Sequence, residues 1–275
     1  MGPIPRLLGE SDREAVMDYV SLEPEMNIFI TGDIEKFGMQ DPVNLYALEN
    51  EDGSWDSIVC KFYANFVCYS QNPLFDAEAM SKLIRKSSNN TFLGSINGKY
   101  EVIDALSPYF EELDMRSLHL AFLDLVYHDD IAPAPEGVTI RRLSYDDYDE
   151  LFELLDSMYE YRGLYSDAAS REMAKKQKRA NEERGCVSYG AFYKGKLVSA
   201  ASTSAASSES CMVVGVGTRD DLRGNGLATS VVARLCQDCL DSGMKFLALF
   251  YENPSAGRIY HRIGFGCVGK YGMLR

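Results

Sequence analysis

At 275 residues, with 46% apolar and 25% charged side chains, the chain has the mixture of a globular protein that buries a real core, which excludes disordered and low-complexity classes. The net charge of −13 is unevenly placed: residues 1–132 hold 9 Lys and Arg against 23 Asp and Glu, a net −14, and residues 133–275 hold 19 against 18, a net +1. An acidic first half repels nucleic acid, which excludes it as a partner, and leaves the second half as the place for an anionic cofactor; solubility alone is the competing reading of that acidity.

The opening stretch "MGPIPRLLGESDREAV" puts acidic residues where a secretory signal needs an apolar run, and no later run approaches a membrane span. A cytoplasmic protein without membrane contact is therefore expected. Helices are predicted at 12–22 and 27–37, followed by strands in "NLYALEN" and "SIVCKFYANFVCYSQ". "AEAMSKLIRKS", "TFLGSI", "KYEVIDALSPYF" and "LHLAFLDL" then read as helix, strand, helix and strand. Two prolines and a glycine in "DIAPAPEGVTIRRL" mark a linker at 131–137.

Past the linker, "VTIRRL" reads as a strand, with helices near 146–158 and 167–184, the second carrying Lys175, Lys176, Lys178 and Arg179. "CVSYGAFY", "KLVSAASTSA" and "CMVVGVGT" form a predicted antiparallel meander with its first turn at Lys194-Gly195. Leu227, Val231, Leu235 and Cys239 make one apolar helical stripe, stopped by Gly243. A buried strand "KFLALF", a short helix in "NPSAGRIYHRIGF" and a last strand at 265–274 complete the order βααβββαβαβ.

The first half is a worn copy of that order, which makes the chain an internal duplication. The seven cysteines are odd in number and scattered, as reduced thiols are. Cys236 and Cys239 form a C-x-x-C in mid-helix without a second pair or a histidine cluster, so a buried helix face is preferred to zinc and no metal is expected.

The segment "VGVGTRDDLRGNGLATSVVARL" is where chemistry concentrates. Backbone N–H groups at the start of a helix lack intrahelical partners and carry the positive end of its dipole, so a phosphate is their natural ligand. Gly224 and Gly226 leave room for a pyrophosphate, and Arg219 or Arg223 adds charge. A P-loop would need Lys-Ser or Lys-Thr after the second glycine, and a dinucleotide fingerprint would need a parallel βαβ unit; neither fits.

Arg223-Gly224-Asn225-Gly226-Leu227-Ala228 after "VGVGT" resembles the coenzyme A loop of the GNAT superfamily of N-acetyltransferases, and "ENPSAGRIYHRIGF" resembles the family's C-terminal signature about thirty residues later. The motifs cover 138–275; residues 1–130 share only the element order. The first half has "SQNPLFDAEAM" in place of the glycine loop, and Asp104 or Ala105 in place of Tyr260. The resemblance implies an α/β fold of two GNAT-like domains, each a mostly antiparallel, centrally splayed sheet flanked by helices. It further implies a degenerate N-terminal domain at 1–130 and a catalytic domain at 138–275.

The resemblance implies acetyl-CoA as co-substrate, with its pantetheine arm in a cleft lined by Val214, Val216 and Thr218 and its phosphates on Arg223 to Thr229. A backbone N–H near Val216 would serve as oxyanion donor. Tyr260 would protonate the leaving thiolate or else is plain packing. Asn253 would hold the pantetheine or adenosine end, and Ser255 would cap the short helix. His261, about 100° around that helix, is taken as surface or packing.

An alkylammonium has a pKa of roughly 10, so attack needs a base. The family often places a glutamate on the strand before the loop; Glu209 and Ser210 are the candidates. By strand alternation Ser210 shares a face with Met212, Val214 and Val216, and Glu209 points away unless a bulge intervenes. The joint "SMYEYRGLYSD" offers Tyr159, Tyr161, Arg162 and Tyr165 to the acceptor, or to packing. The implied acceptor is a small-molecule primary amine or a peptide N-terminus, and a homodimer is left open. A coenzyme A binding or sensing module and an interaction scaffold are the competing functions.

Overall fold

The computed structural model describes residues 2–88, 93–131, 133–158 and 161–275. Strands and helices follow one order twice. The first run is β1 (Ile4–Leu7), α1 (Arg13–Val20), α2 (Ile28–Phe37), β2 (Val43–Glu49), β3 (Trp55–Phe62), β4 (Asn65–Tyr69), α3 (Ala77–Ser87), β5 (Ser95–Lys99), α4 (Tyr100–Leu106) and β6 (Met115–Leu123). The second is β7 (Val138–Arg142), α5 (Tyr148–Asp156), α6 (Ala168–Glu182), β8 (Ser188–Tyr193), β9 (Lys196–Ser204), β10 (Ser210–Thr218), α7 (Leu227–Asp241), β11 (Phe246–Tyr251), α8 (Pro254–Ile263) and β12 (Gly266–Leu274).

The chain divides into two compact units, one of residues up to Leu120 together with Val268–Arg275, the other Ala121–Cys267. The single break expected at 131–137 is replaced by two crossings, and the physical reason lies in what the crossing segments bury. Leu274 is fully buried among Ile96, Val102 and Ile103 of the first unit. Leu123 and Val126 are buried among Leu249, Ile263 and Phe265 of the second. The last strand therefore finishes the first unit's sheet, and the chain beyond Leu120 contributes to the second unit's core.

In the first unit the strand order is β1-β2-β3-β4-β5-β12, antiparallel at every pair except the parallel β4–β5. Helices α1 and α2 bury Val16, Val20, Ile30 and Ile34 on one face; α3 and α4 bury Met80, Leu83, Ile84 and Ile103 on the other. Apolar faces on both sides of one sheet are what a two-sided layer requires. Strand β1 was absent from the sequence reading. It is a four-residue edge strand with every residue exposed, and Pro5 within it is tolerated because an edge has a side that donates nothing.

Gly98 closes the β4–β5 seam. It faces Cys68 in register, and a Cβ at Gly98 would stand 2.0 Å from the Cys68 carbonyl oxygen. Gly98→Ala should therefore destabilise the chain by about 2 kcal/mol or more, read as a lower denaturation midpoint in urea at unchanged slope. Equal midpoints would show that the strands can separate at little cost.

In the second unit the order is β11-β10-β9-β8-β7, antiparallel apart from the parallel β10–β11, with the Ala121–Leu123 end of β6 beside β11, where Phe122 stacks on Phe246. The amphipathic α5 places Tyr148, Leu151, Phe152 and Leu155 on one face against Leu197 and Ala200. The predicted stripe of α7 packs on the other, with Val231, Leu235, Cys236 and Cys239 buried against Val213 and Leu247. Asp167 caps α6 by accepting the Ser170 N–H at 2.9 Å.

Candidate functional site

The cleft starts where two parallel strands part. β10 pairs with β11 only from Ser210 to Met212, opposite Phe246 to Ala248. It then runs on to Thr218, and β11 to Tyr251, with no further partners between them among the described residues. In the first unit the corresponding β4 pairs with β5 through Cys68, one residue short of its end. The same topology is open in one unit and closed in the other.

A bulge sits at the mouth of that opening. Val214 pairs with Ser202 of β9 and Gly217 with Ala200, so β10 carries one extra residue between them, and Gly215 takes a φ of +61°. Gly215 and Val216 have no cross-strand partner in either register. The bulge also overturns the expected alternation. Val213 and Val216 both pack on the α7 side, whereas a Cβ on Gly217 would run into the sulfur of Met158, just past α5, at 2.2 Å. Val214, which shares a face with Ser202, and Val216 therefore point to opposite faces. Thr218 holds its hydroxyl 2.8 Å from that of Ser199 on β9.

The glycine loop follows at once. Gly224 and Gly226 have φ of +82° and +77°, a region that costs a Cβ-bearing residue about 1–2 kcal/mol, and a Cβ at either would meet nothing within 4 Å. The positive φ explains the residue choice, and the open space leaves the backbone approachable. Gly226 is the N-cap of α7 without any side-chain cap. Among the described residues no acceptor meets the backbone N–H groups of 224–229, so six donors lie along the loop and first helical turn. Arg223 and Arg219 are exposed and paired with Asp220 at 2.7 Å and Asp221 at 3.0 Å. Exposed pairs of this kind are weak, which leaves both guanidiniums able to exchange partners.

Helix α8 supplies the other motif. Asn253 caps it, accepting the Ser255 N–H at 2.8 Å, so Asn253 takes the capping role expected of Ser255. The Ser255 hydroxyl instead accepts from Arg258 at 2.8 Å. Tyr260 is 7% exposed, its ring 5.8 Å from that of Tyr251 and 6.0 Å from that of Phe265. His261, expected as surface or packing, has a defined polar role. Its Nδ1 lies 2.7 Å from the Phe265 carbonyl, which can only accept, so Nδ1 carries the proton; in the neutral ring Nε2 accepts from the Tyr251 hydroxyl at 3.1 Å. Burial, together with the neighbouring Cys267 thiol, raises the Tyr251 pKa. Tyr251 is thereby fixed against Tyr260 by a histidine next to it in sequence.

The proposed bases are not brought to the mouth. Glu209 precedes β10 and is exposed, its carboxylate bonded to Lys245. Ser210 is buried at the paired end of β10, its hydroxyl 3.0 Å from that of Ser207. Four residues of strand, ~13 Å, separate Ser210 from Val214. On the acceptor joint, Tyr165 tilts against Phe152 at 4.8 Å and Tyr161 packs on the α5 cluster, while Arg162 is exposed. Asp156 ties this joint down by accepting the N–H groups of Gly163 at 2.8 Å and Tyr165 at 3.2 Å. Tyr159 lies outside the described residues.

The position of the bulge was the feature missed in sequence, and the glycine pair of "VGVGT" was its signal: one takes the positive φ, the other admits Met158. Cys236 and Cys239 are buried in α7. No helix among the described residues is long and apolar enough to cross a membrane.

Residues 161–274 match the family model described as GNAT acetyltransferase. No curated protein sequence matches the chain. Among solved structures, a Drosophila protein aligns with a TM-score of 0.69 at 14% identity, over 99% of this chain and 98% of its own. A GCN5-related N-acetyltransferase from Sphaerobacter thermophilus aligns at 0.64 and 15%, over 98% and 94%. A tandem GNAT protein from the clavulanic acid biosynthesis pathway aligns at 0.60 and 14%, over 98% and 97%. These structures share the fold along nearly the whole chain. Residues 161–274 thus match the GNAT acetyltransferase family, and the chain as a whole shares the fold of these structures.

Proposed function

We propose that the chain is an N-acetyltransferase with one working site, in the second unit, that moves an acetyl group from acetyl-CoA to a primary amine by direct attack. The observation that carries this reading is the parting of β10 from β11 beyond Met212, with the bulge at Gly215 above it and the unpartnered N–H groups of 224–229 at its end. Acetyl-CoA, when bound, supplies a thioester carbonyl and an anionic diphosphate. The loop matches the diphosphate with backbone donors and no side-chain obstruction.

The Val216 N–H, which the bulge leaves out of the β9 register, is assigned as the donor to the carbonyl oxygen as negative charge builds there. Tyr260 gives the departing sulfur its proton, and Tyr251, held by His261, keeps the Tyr260 ring in place. Leu155 at the end of α5 and Met158 just past it cover the bulge from the acceptor side. Acceptors are small amines or peptide N-termini, reached past Tyr161, Arg162 and Tyr165.

The test is release of free thiol from acetyl-CoA in the presence of a panel of small amines and peptides. Turnover with any member supports the reading; binding of acetyl-CoA without turnover would make the chain a coenzyme A sensing module. One chain should bind one acetyl-CoA, because β4–β5 is paired nearly to its end and "QNPLFDAEAM" replaces the glycine loop there. A calorimetric titration with two equivalent sites would overturn that.

A further inference from the structure

We propose that Lys178 is the group that takes the proton of the incoming amine, through the hydroxyl of Ser202; the proposal rests on the acetyltransferase reading above. No residue of α6 is fully buried, and Lys175 on the same helix pairs with an exposed carboxylate, Asp149. Lys178 turns inward. Its Nζ lies 3.1 Å from the Ser202 hydroxyl, and Ser202, itself 6% exposed, lies 2.8 Å from the hydroxyl of the fully buried Ser188. Among the described residues no carboxylate stands within ion-pair distance of that nitrogen.

Ser202 stands beside the bulge. It is the register partner of Val214, the last β10 residue before the ladder breaks, and cross-strand partners share a face of the sheet. Ala200, two residues earlier on β9, packs in the α5 cluster, so that face is the one α5 and α6 cover. A hydroxyl one strand spacing from Val214, backed by an amine that no carboxylate among the described residues pairs with directly, is thus placed on the acceptor side of the carbonyl assigned to Val216.

The surroundings make the Lys178 proton easier to lose than that of an exposed lysine. Burial lowers the Lys178 pKa, and the Glu182 carboxylate on its own helix and Cys186 before β8 oppose that only in part. From α5 the Tyr148 ring faces Nζ at 5.9 Å, and Arg142 on β7 lies near the same phenol. In the step, the ammonium of the acceptor gives a proton to the Ser202 oxygen as the Ser202 proton passes to neutral Lys178. The acceptor nitrogen is left with a free lone pair and Lys178 with a positive charge. Ser202 is unchanged at the end.

The experiment is the pH profile of kcat/KM, using an amine that the parent chain acetylates, for Lys178→Met, Lys178→Arg and Ser202→Ala. The parent should gain rate with rising pH through a limb that Lys178→Met lacks, and Lys178→Met should lose about a hundredfold or more at the parent's optimum. Lys178→Arg is always protonated and cannot accept the proton, so it should fail equally. Calorimetric binding of acetyl-CoA should be unchanged in each, which reports the fold; if Lys178→Met does not fold, Lys178→Arg and Ser202→Ala carry the test. Rates within threefold of the parent with the alkaline rise intact in Lys178→Arg would overturn the assignment. Absence of turnover by the parent with every amine would overturn the acetyltransferase reading and this assignment with it.

Discussion

Gly226→Glu should abolish acetyl-CoA binding and leave the chain folded. The substitution sets a carboxylate on the N-cap of α7, among six backbone donors and at the positive end of the helix dipole, where the reading places a diphosphate. The side chain meets no protein atom within 4 Å at its Cβ, so the cost to the fold is the strain of a positive φ, about 1–2 kcal/mol. A small chain-wide loss and a large local one are therefore separable. Calorimetry should show affinity weakened by at least about a hundredfold, ~2.7 kcal/mol, while the melting temperature falls by only a few degrees. Gly226→Asn, which tolerates the same backbone conformation without charge, should keep measurable binding. If the glutamate variant binds as the parent does, the glycines serve the turn alone.

The second large effect concerns Tyr260→Phe. The change removes a phenolic hydroxyl and keeps the ring that packs against Tyr251 and Phe265, so stability should move by about 1 kcal/mol and cofactor affinity hardly at all. General-acid catalysis is worth about 10²- to 10⁴-fold, so kcat should fall by roughly a hundredfold or more when departure of the thiolate limits turnover. Slow product release can mask such a loss in steady state. A first-turnover measurement by rapid mixing removes that mask. First-turnover rates equal to the parent's would make Tyr260 a packing residue and move the proton source elsewhere.

Much of the fold was legible because its elements carry local signals. The stripe Leu227, Val231, Leu235 and Cys239, the Asn-Pro entry to α8 and the Lys194-Gly195 turn each declare themselves within a few residues, and the structure puts helix or strand where they point. Strand β1 was not legible: four residues with a proline have no periodicity to read, and its pairing with β2 is decided some forty residues away. The crossing segments were hidden for a related reason. Leu274 and Leu123 are ordinary strand leucines in sequence, and only the cores they enter assign them to a unit.

The site shows the same division. The glycine loop and the α8 motif were readable as backbone chemistry, whereas the strand faces were not, because one extra residue at Gly215 exchanges inside for outside beyond it. That exchange moved Val216 away from the face of Val214. The expected bases are kept from the mouth by distance along a strand: Ser210 stands at the paired end of β10 and Glu209 just before it. Lys178 was noticed only as part of a basic helix, since sequence does not tell an inward lysine from an outward one.

The crossing of the last strand has a consequence for biosynthesis. The first unit leaves the ribosome first, yet the strand that covers the open side of β5 and carries Leu274 into its core is translated after the whole of the second unit. The unit begun earliest is therefore the one finished latest, and until then β5 presents a bare edge of the kind that invites wrong pairing. A nascent chain arrested at Cys267 should expose that edge, and the N-terminal unit should be the more protease-sensitive of the two in such a chain.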